Sequence, residues 1–198
     1  FFFLHVGIVG LSIDGQSSIK QTTANKFLSI IFCAHKSRES PTNTKMKEIS
    51  YNTISLVLES WEQLRRTPNF EEEAGVVLYK HLFQLHPEVH ALFGLDTLDN
   101  SEELAKSKRF RMQAKYMIQM LDSSLQMLGP DIELLTEINH DLGKRHVRYG
   151  VTPEMYGFMG EAVIYTLDNF LGQDFSKETR EAWEQIYGEL AGDILSAY

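Results

Sequence analysis

Cysteine is nearly absent from this sequence: there is one, Cys33, in 198 residues. A lone thiol forms no internal disulfide and cannot assemble a thiolate zinc site, so it is expected to be inert in a reducing, cytoplasmic setting. Positive charge is also short, with 19 Lys and Arg against 27 Asp and Glu and a formal net charge of −8. Such a surface repels nucleic-acid phosphates and anionic lipid, which removes nucleic acid from the expected partners. No apolar run reaches the length of about eighteen residues that a spanning helix requires, so no membrane span is expected. No stretch alternates apolar and polar residues as a strand does, and no internal repeat is visible.

What is present is the balance of an ordinary globular domain, 43% hydrophobic and 23% charged. The length suffices for one domain with a sizeable core. Residues 1–48 differ from the rest. They hold two short apolar runs, "FFFLHVGIVGLSI" and "KFLSIIFCA", set among Ser/Thr-rich polar segments, and the sequence starts without methionine. The first run has the length of a signal-peptide core but no basic flank. This extension is expected to be disordered or a targeting remnant, the second case directing the chain to an organelle. Residues 49–198 are expected to form the folded domain.

Over that domain the pattern is helical, and the fold class is all-α. "YNTISLVLESWEQLRR" sets Ile54, Val57, Leu58, Trp61 and Leu64 on one face. "NFEEEAGVVLYKHLFQLHP" offers an Asn cap, three acids in the first turn and a stop at Pro87. "SEELAKSKRFRMQAKYMIQMLDSSLQMLGP" has a serine start and a Gly-Pro stop, and an Asp cap opens "DIELLTEINHDLGKRHVRYG". "TPEMYGFMGEAVIYTLDNFLG" has Thr before a first-turn proline, and "SKETREAWEQIYGELAGDILSAY" opens at Ser176 with a loose Ser–Glu capping box.

Two histidines in one helix separate by face. Stepping back from His146 by helical spacing meets Leu142, Ile138 and Leu135, which makes it the end of an apolar stripe. His140 lies about 200° around the helix from Leu142, beside Asn139 and Asp141, and is expected at the surface. An inward imidazole is either a core histidine satisfied by a carbonyl or helix end, or a metal ligand. No second His, Cys or carboxylate shares its stripe at ligand spacing. A metal that brings four nitrogens of its own, as haem iron does, needs only one. Such a site also calls for polar groups opposite. Gln113 lies in line between Phe110 and Met117 on a stripe that runs on to Leu121, Ser124 and Leu128. Tyr79 shares a face with Val76, Leu82, Phe83 and His86.

With these residues in place, 50–198 resembles the globin superfamily, in particular single-domain bacterial haemoglobins and the globin domains of flavohaemoglobins, with neuroglobin a further cousin. Trp61 is similar to the tryptophan of the family's first helix. "LYKHLFQLHPEVHALFG" resembles the bacterial "FYxRMFxxxPEVxxIF" pattern, with Pro87 opening a short third helix. "LGKRHVRYGVTPEMYGFMGEAVIYTL" resembles the proximal segment and "AWEQIYGELAGDIL" the last helix.

The resemblance implies a globin fold around haem b, with His146 as the iron ligand and Phe93 stacking on the porphyrin. It implies Tyr79 and Gln113 as distal polar groups, Met117 over the iron, Tyr156 as a proximal tyrosine, and Leu142 and Val151 lining the pocket. His146 would bind through Nε2 and donate Nδ1–H to a carbonyl of its own helix. Lys144, Arg145 and Arg148 either reach the haem propionates or form a solvated basic face. Lacking a distal histidine, ferrous iron is expected five-coordinate, with Met117 packing rather than ligating. The expected partners are dioxygen, CO and NO. The implied function is reversible dioxygen binding for transport, storage or sensing; the alternative is a nitric oxide dioxygenase served by a separate reductase, because no flavin or nicotinamide domain is present.

Overall fold

The computed structural model describes residues 49–93, 104, 106–129 and 131–198. The expectations for residues 1–48, and the serine start at Ser101, lie outside the described residues. Among the described residues the helices are α1 Tyr51–Arg65, α2 Phe70–Leu85, α3 His90–Phe93, α4 Lys108–Met127, α5 Ile132–Arg148, α6 Pro153–Leu171 and α7 Lys177–Leu195, with Leu104 and Lys106 also helical. Short 3₁₀ turns precede α3, at Pro87–Val89, and α7, at Gly172–Asp174. Among the described residues there is no strand, and no helix is long and apolar enough to cross a membrane.

Local chemistry sets most of the helix ends. Ser50 caps α1 by accepting from the Thr53 amide at 3.1 Å, and Ser176 does the same for α7 through Thr179 at 3.1 Å. The Ser176 hydroxyl also pairs with that of Thr179 at 2.9 Å, so the α7 cap is a Ser–Thr pair and not the Ser–Glu box. Ser107 caps α4, accepting from Phe110 at 3.4 Å. Asn69 and Asp131 stand where caps were expected, but neither side chain bonds the helix. Asn69 instead takes a left-handed turn (φ 55°), and its carbonyl accepts the Glu72 and Glu73 amides. Thr152 likewise makes no side-chain cap; Pro153 starts α6.

The core lies between α1, α2, α4, α6 and α7. Trp61 and Trp183 meet with ring centroids 5.6 Å apart. Their indole N–H groups donate to Asp122 at 2.8 Å and Ser60 at 2.9 Å, which makes burying the polar edge tolerable. On α1, Val57, Trp61 and Leu64 are buried. Leu58, expected on that face, is 37% exposed, and Ser60 takes its inward place because it serves Trp183.

The α2–α4 crossing is set by Gly75. A methyl group there would run into the Ala114 backbone, so only hydrogen lets the two helices come this close. One turn beyond Gly75 stands Tyr79, and Gln113 directly precedes Ala114. The crossing therefore brings these two polar side chains together. On its outer side Glu71 pairs with Lys115 at 3.2 Å, and Glu72 and Glu73 pair with Arg111.

Candidate functional site

Between α4 and α5, closed by α2, α3, α6 and α7, lies one large cavity of about 1540 Å³, its open mouth included. All eight residues singled out from the sequence line it: His146, Phe93, Tyr79, Gln113, Met117, Leu142, Val151 and Tyr156.

The proximal wall is α5. His146 sits near its C-terminal end, half-buried, and lines the cavity together with Ile138 and Leu142. Desolvation holds its imidazole down at about 4, against an ordinary 6.5, so the ring is neutral at pH 7 and keeps a lone pair. The expected partner at Nδ1 was a carbonyl of the same helix; the structure places the Tyr156 hydroxyl there, at 2.7 Å. Local chain geometry explains this. After Arg148 the chain turns through Gly150 in the left-handed region (φ 79°), and the Val151 amide folds back onto the His146 carbonyl at 3.1 Å. Pro153 then starts α6, so Tyr156 comes up against His146 about one helical turn later. Tyr187 of α7 fixes that turn by donating to the Tyr156 carbonyl at 2.8 Å.

His140 is half-buried and does not line the cavity. Asn139 departs from the expectation. Sequence spacing put it with His140 on the solvent side, yet it is 3% exposed and lines the cavity. Its amide lies near the buried Asp193 of α7, whose carboxyl is pushed above its usual range by burial, against the lowering effect of Thr136 and Asn139, yet the Asn139 amide nitrogen makes no hydrogen bond among the described residues. Thr136 donates to Asp193 at 3.0 Å. Thr136 thus finds its polar partner on α7, whereas the Asn139 amide nitrogen is buried unmatched.

The distal wall is α4, with α2 and α3 behind it. Tyr79 is 2% exposed. Burial drives its phenol well above the ordinary value, so it remains a protonated donor, and the Gln113 side chain hydrogen-bonds to it. Phe93 meets Tyr79 edge-on at 5.0 Å and Phe83 at 5.4 Å, which anchors α3 at the cavity rim. The inward stripe of α4 differs from the expected one. Phe110, Ala114, Ile118, Leu121 and Leu125 enter the core, while Gln113, Met117, Met120 and Ser124 form a neighbouring face on the cavity. Tyr116, Met155 and Met159 also line it and were not picked out from the sequence. Their signal, Tyr or Met at helical spacing, is the same as that of core residues. Of the basic trio, Arg145 lines the cavity, Lys144 pairs with Asp141 at 3.2 Å and Arg148 is exposed.

These features constrain a ligand. Among the described residues no group of three or more His, Cys, Asp or Glu side chains converges on a bare metal ion. A wide apolar cleft with a single neutral imidazole on one wall instead fits a flat macrocycle that carries its metal within it.

A family model described as Globin matches residues 76–194. The neuroglobin of Tetraodon nigroviridis is 28% identical over 150 residues, covering 75% of this chain and 92% of that protein. The neuroglobin of Danio rerio is 27% identical over 143 residues, covering 72% and 87%. Among solved structures, the Drosophila melanogaster hexa-coordinate haemoglobin superposes with a TM-score of 0.68 at 24% identity, covering 76% of this chain and 95% of that one. A hexacoordinated haem protein from an anhydrobiotic tardigrade gives 0.68 at 17% identity, covering 76% and 95%. At such identities these two structures speak to the fold alone. Helix order, cavity and family match agree: the chain belongs to the globin family.

Proposed function

We propose that the cavity holds haem b, ligated by His146, and that the protein binds dioxygen and other diatomic gases reversibly. The observation that carries this reading is the neutral, cavity-lining His146 with its Nδ1 engaged by Tyr156. An Nδ1 that donates to the Tyr156 oxygen leaves the ring's lone pair on Nε2, the nitrogen suited to a metal. Haem, when bound, supplies an iron with one coordination position for a small gas molecule.

The chain's own residues do the rest. Phe93, Leu142 and Val151 supply apolar walls that exclude bulk water, which protects a ferrous metal from oxidation. Tyr79 keeps its proton at any physiological pH and offers an O–H donor; Gln113 offers amide N–H donors beside it. Hydrogen bonds to a ligand that draws negative charge contribute about 1.5–3 kcal/mol each, or about one to two decades of affinity. A polarised dioxygen gains more from them than carbon monoxide does. Among the described residues His146 is the one histidine lining the cavity. Met117 packs beside Gln113 as part of the distal wall. Haem held this way would take His146 as its imidazole ligand from the described residues, with Met117 packing beside it.

The test is the absorption spectrum of purified protein in the ferrous, oxygenated and carbonmonoxy forms. Reversible conversion among three distinct spectra supports the reading; no Soret band overturns it. Nitric oxide consumption with and without an added reductant then separates a gas carrier from a dioxygenase served by an external reductase.

A further inference from the structure

Tyr156 is itself held by a third residue, and that contact fixes the direction of the hydrogen bond between Tyr156 and His146. The Tyr156 hydroxyl lies 3.3 Å from the Tyr198 hydroxyl. The Tyr198 hydroxyl in turn lies 3.0 Å from the Val151 carbonyl oxygen. A carbonyl only accepts, and each phenol carries one proton. The Tyr198 proton is therefore committed to Val151. Tyr198 can then only accept from Tyr156, which commits the Tyr156 proton to Tyr198. Tyr156 is left as an acceptor toward Nδ1 at 2.7 Å, so the proton between them belongs to the imidazole. The circuit closes on the backbone, because the Val151 amide donates to the His146 carbonyl at 3.1 Å.

The geometry points to Tyr198 as a positioning residue that, acting through Tyr156, keeps the His146 proton on Nδ1 and the lone pair on Nε2. This rests on His146 being the haem ligand. Without Tyr198 the Tyr156 hydroxyl can rotate and donate to Nδ1 instead. That reversed bond places the imidazole proton on Nε2, where it blocks ligation. Burial of His146 makes either hydrogen bond stronger than it would be in water, so its direction matters. Tyr198 does this from a partly exposed position, 45% accessible, because only its hydroxyl end is turned toward Val151 and Tyr156.

The experiment compares the haem-loaded wild type with Tyr198→Phe and Tyr156→Phe. Resonance Raman spectra of the ferrous proteins report the iron–histidine stretch, and transfer of haem to a competing acceptor reports retention. Tyr198→Phe is expected to lower the stretching frequency and to weaken haem affinity about tenfold, the lower end of the usual 10–100-fold cost of losing such a supporting partner. Tyr156→Phe is expected to shift the frequency in the same direction. A Tyr198→Phe protein with lower thermal stability but an unmoved stretch would make Tyr198 merely structural and overturn the assignment. A wild type without a Soret band would overturn the haem reading first, which the wild-type spectrum reveals on its own. Should Tyr198→Phe fail to fold, proton NMR of the wild-type carbonmonoxy form decides. An exchange-protected Nδ1 proton near the Tyr156 ring upholds the circuit, and absence of a proton at Nδ1 contradicts it.

Discussion

Gly143 of α5 lies directly against the Ile194 carbonyl of α7, with no room between them for a methyl group. This contact sets how deeply α5 seats on α7, and His146 follows less than one turn later on the same helix. The position of the cavity's proximal wall thus depends on a missing side chain. Gly143→Ala forces the helices apart, since a backbone carbonyl cannot yield as a flexible side chain does. Overpacking of this kind costs about 1–3 kcal/mol, offset only in part by the better helix propensity of alanine, worth about 1 kcal/mol. A lower urea midpoint with an unchanged denaturant slope, together with faster haem loss, is the expected result.

Tyr79 and Gln113 face the cavity as a hydrogen-bonded pair. Tyr79→Phe removes one donor without changing the packing against Phe83 and Phe93. Oxygen dissociation measured by stopped flow is expected to speed up about tenfold, the loss of one charge-assisted bond. Carbon monoxide dissociation should change much less. An unaltered oxygen off-rate removes Tyr79 from the binding mechanism. Because the two side chains interact, the effects of Tyr79→Phe and Gln113→Ala on that rate should be non-additive.

A separate acid sensitivity resides on α2, away from the cavity. His81 stacks flat on Tyr165 of α6, ring centroids 3.6 Å apart. Its pKa is lowered, first by desolvation and further by His86, against the opposing pull of Glu161. A histidine whose folded pKa lies below its unfolded value favours folding in its neutral form. That contribution is complete above about pH 6.5 and is lost as the pH falls toward the folded pKa. His81→Phe keeps a ring on Tyr165 but cannot titrate. The stability difference between wild type and His81→Phe should therefore move against the wild type between pH 7 and 5. A pH-independent difference would contradict this.

Much of the site was legible in the sequence because helical spacing separates faces. His146 falls in line with Leu142 and Ile138 and lines the cavity with them, and His140 does not, although His140 is half-buried and not at the surface as expected. Faces that are both apolar are harder to tell apart. On α4 the cavity face carries Met117 and Met120 beside Gln113 and Ser124, and these apolar members cannot be told by type from the Phe110, Ile118, Leu121 and Leu125 of the core, so the expected stripe mixed the two. Asn139 was misplaced for a different reason. It is buried beside Asp193, fifty-four residues away in sequence, with its amide nitrogen making no hydrogen bond among the described residues, and no local pattern announces a buried, unmatched amide. The Nδ1 contact of His146 was assigned to its own helix, whereas the left-handed turn at Gly150 brings Tyr156 to it from the next. Local capping showed the same split: Ser50 and Ser176 bond their helices, while Asn69 reaches the next turn through its carbonyl.

The most direct measurement compares the absorption spectra of wild type, His146→Gly and His140→Ala after identical haem reconstitution and desalting. The account predicts a full Soret band in the wild type and in His140→Ala, and its loss in His146→Gly. Equal haem retention in all three proteins, or equal loss in both variants, would contradict it.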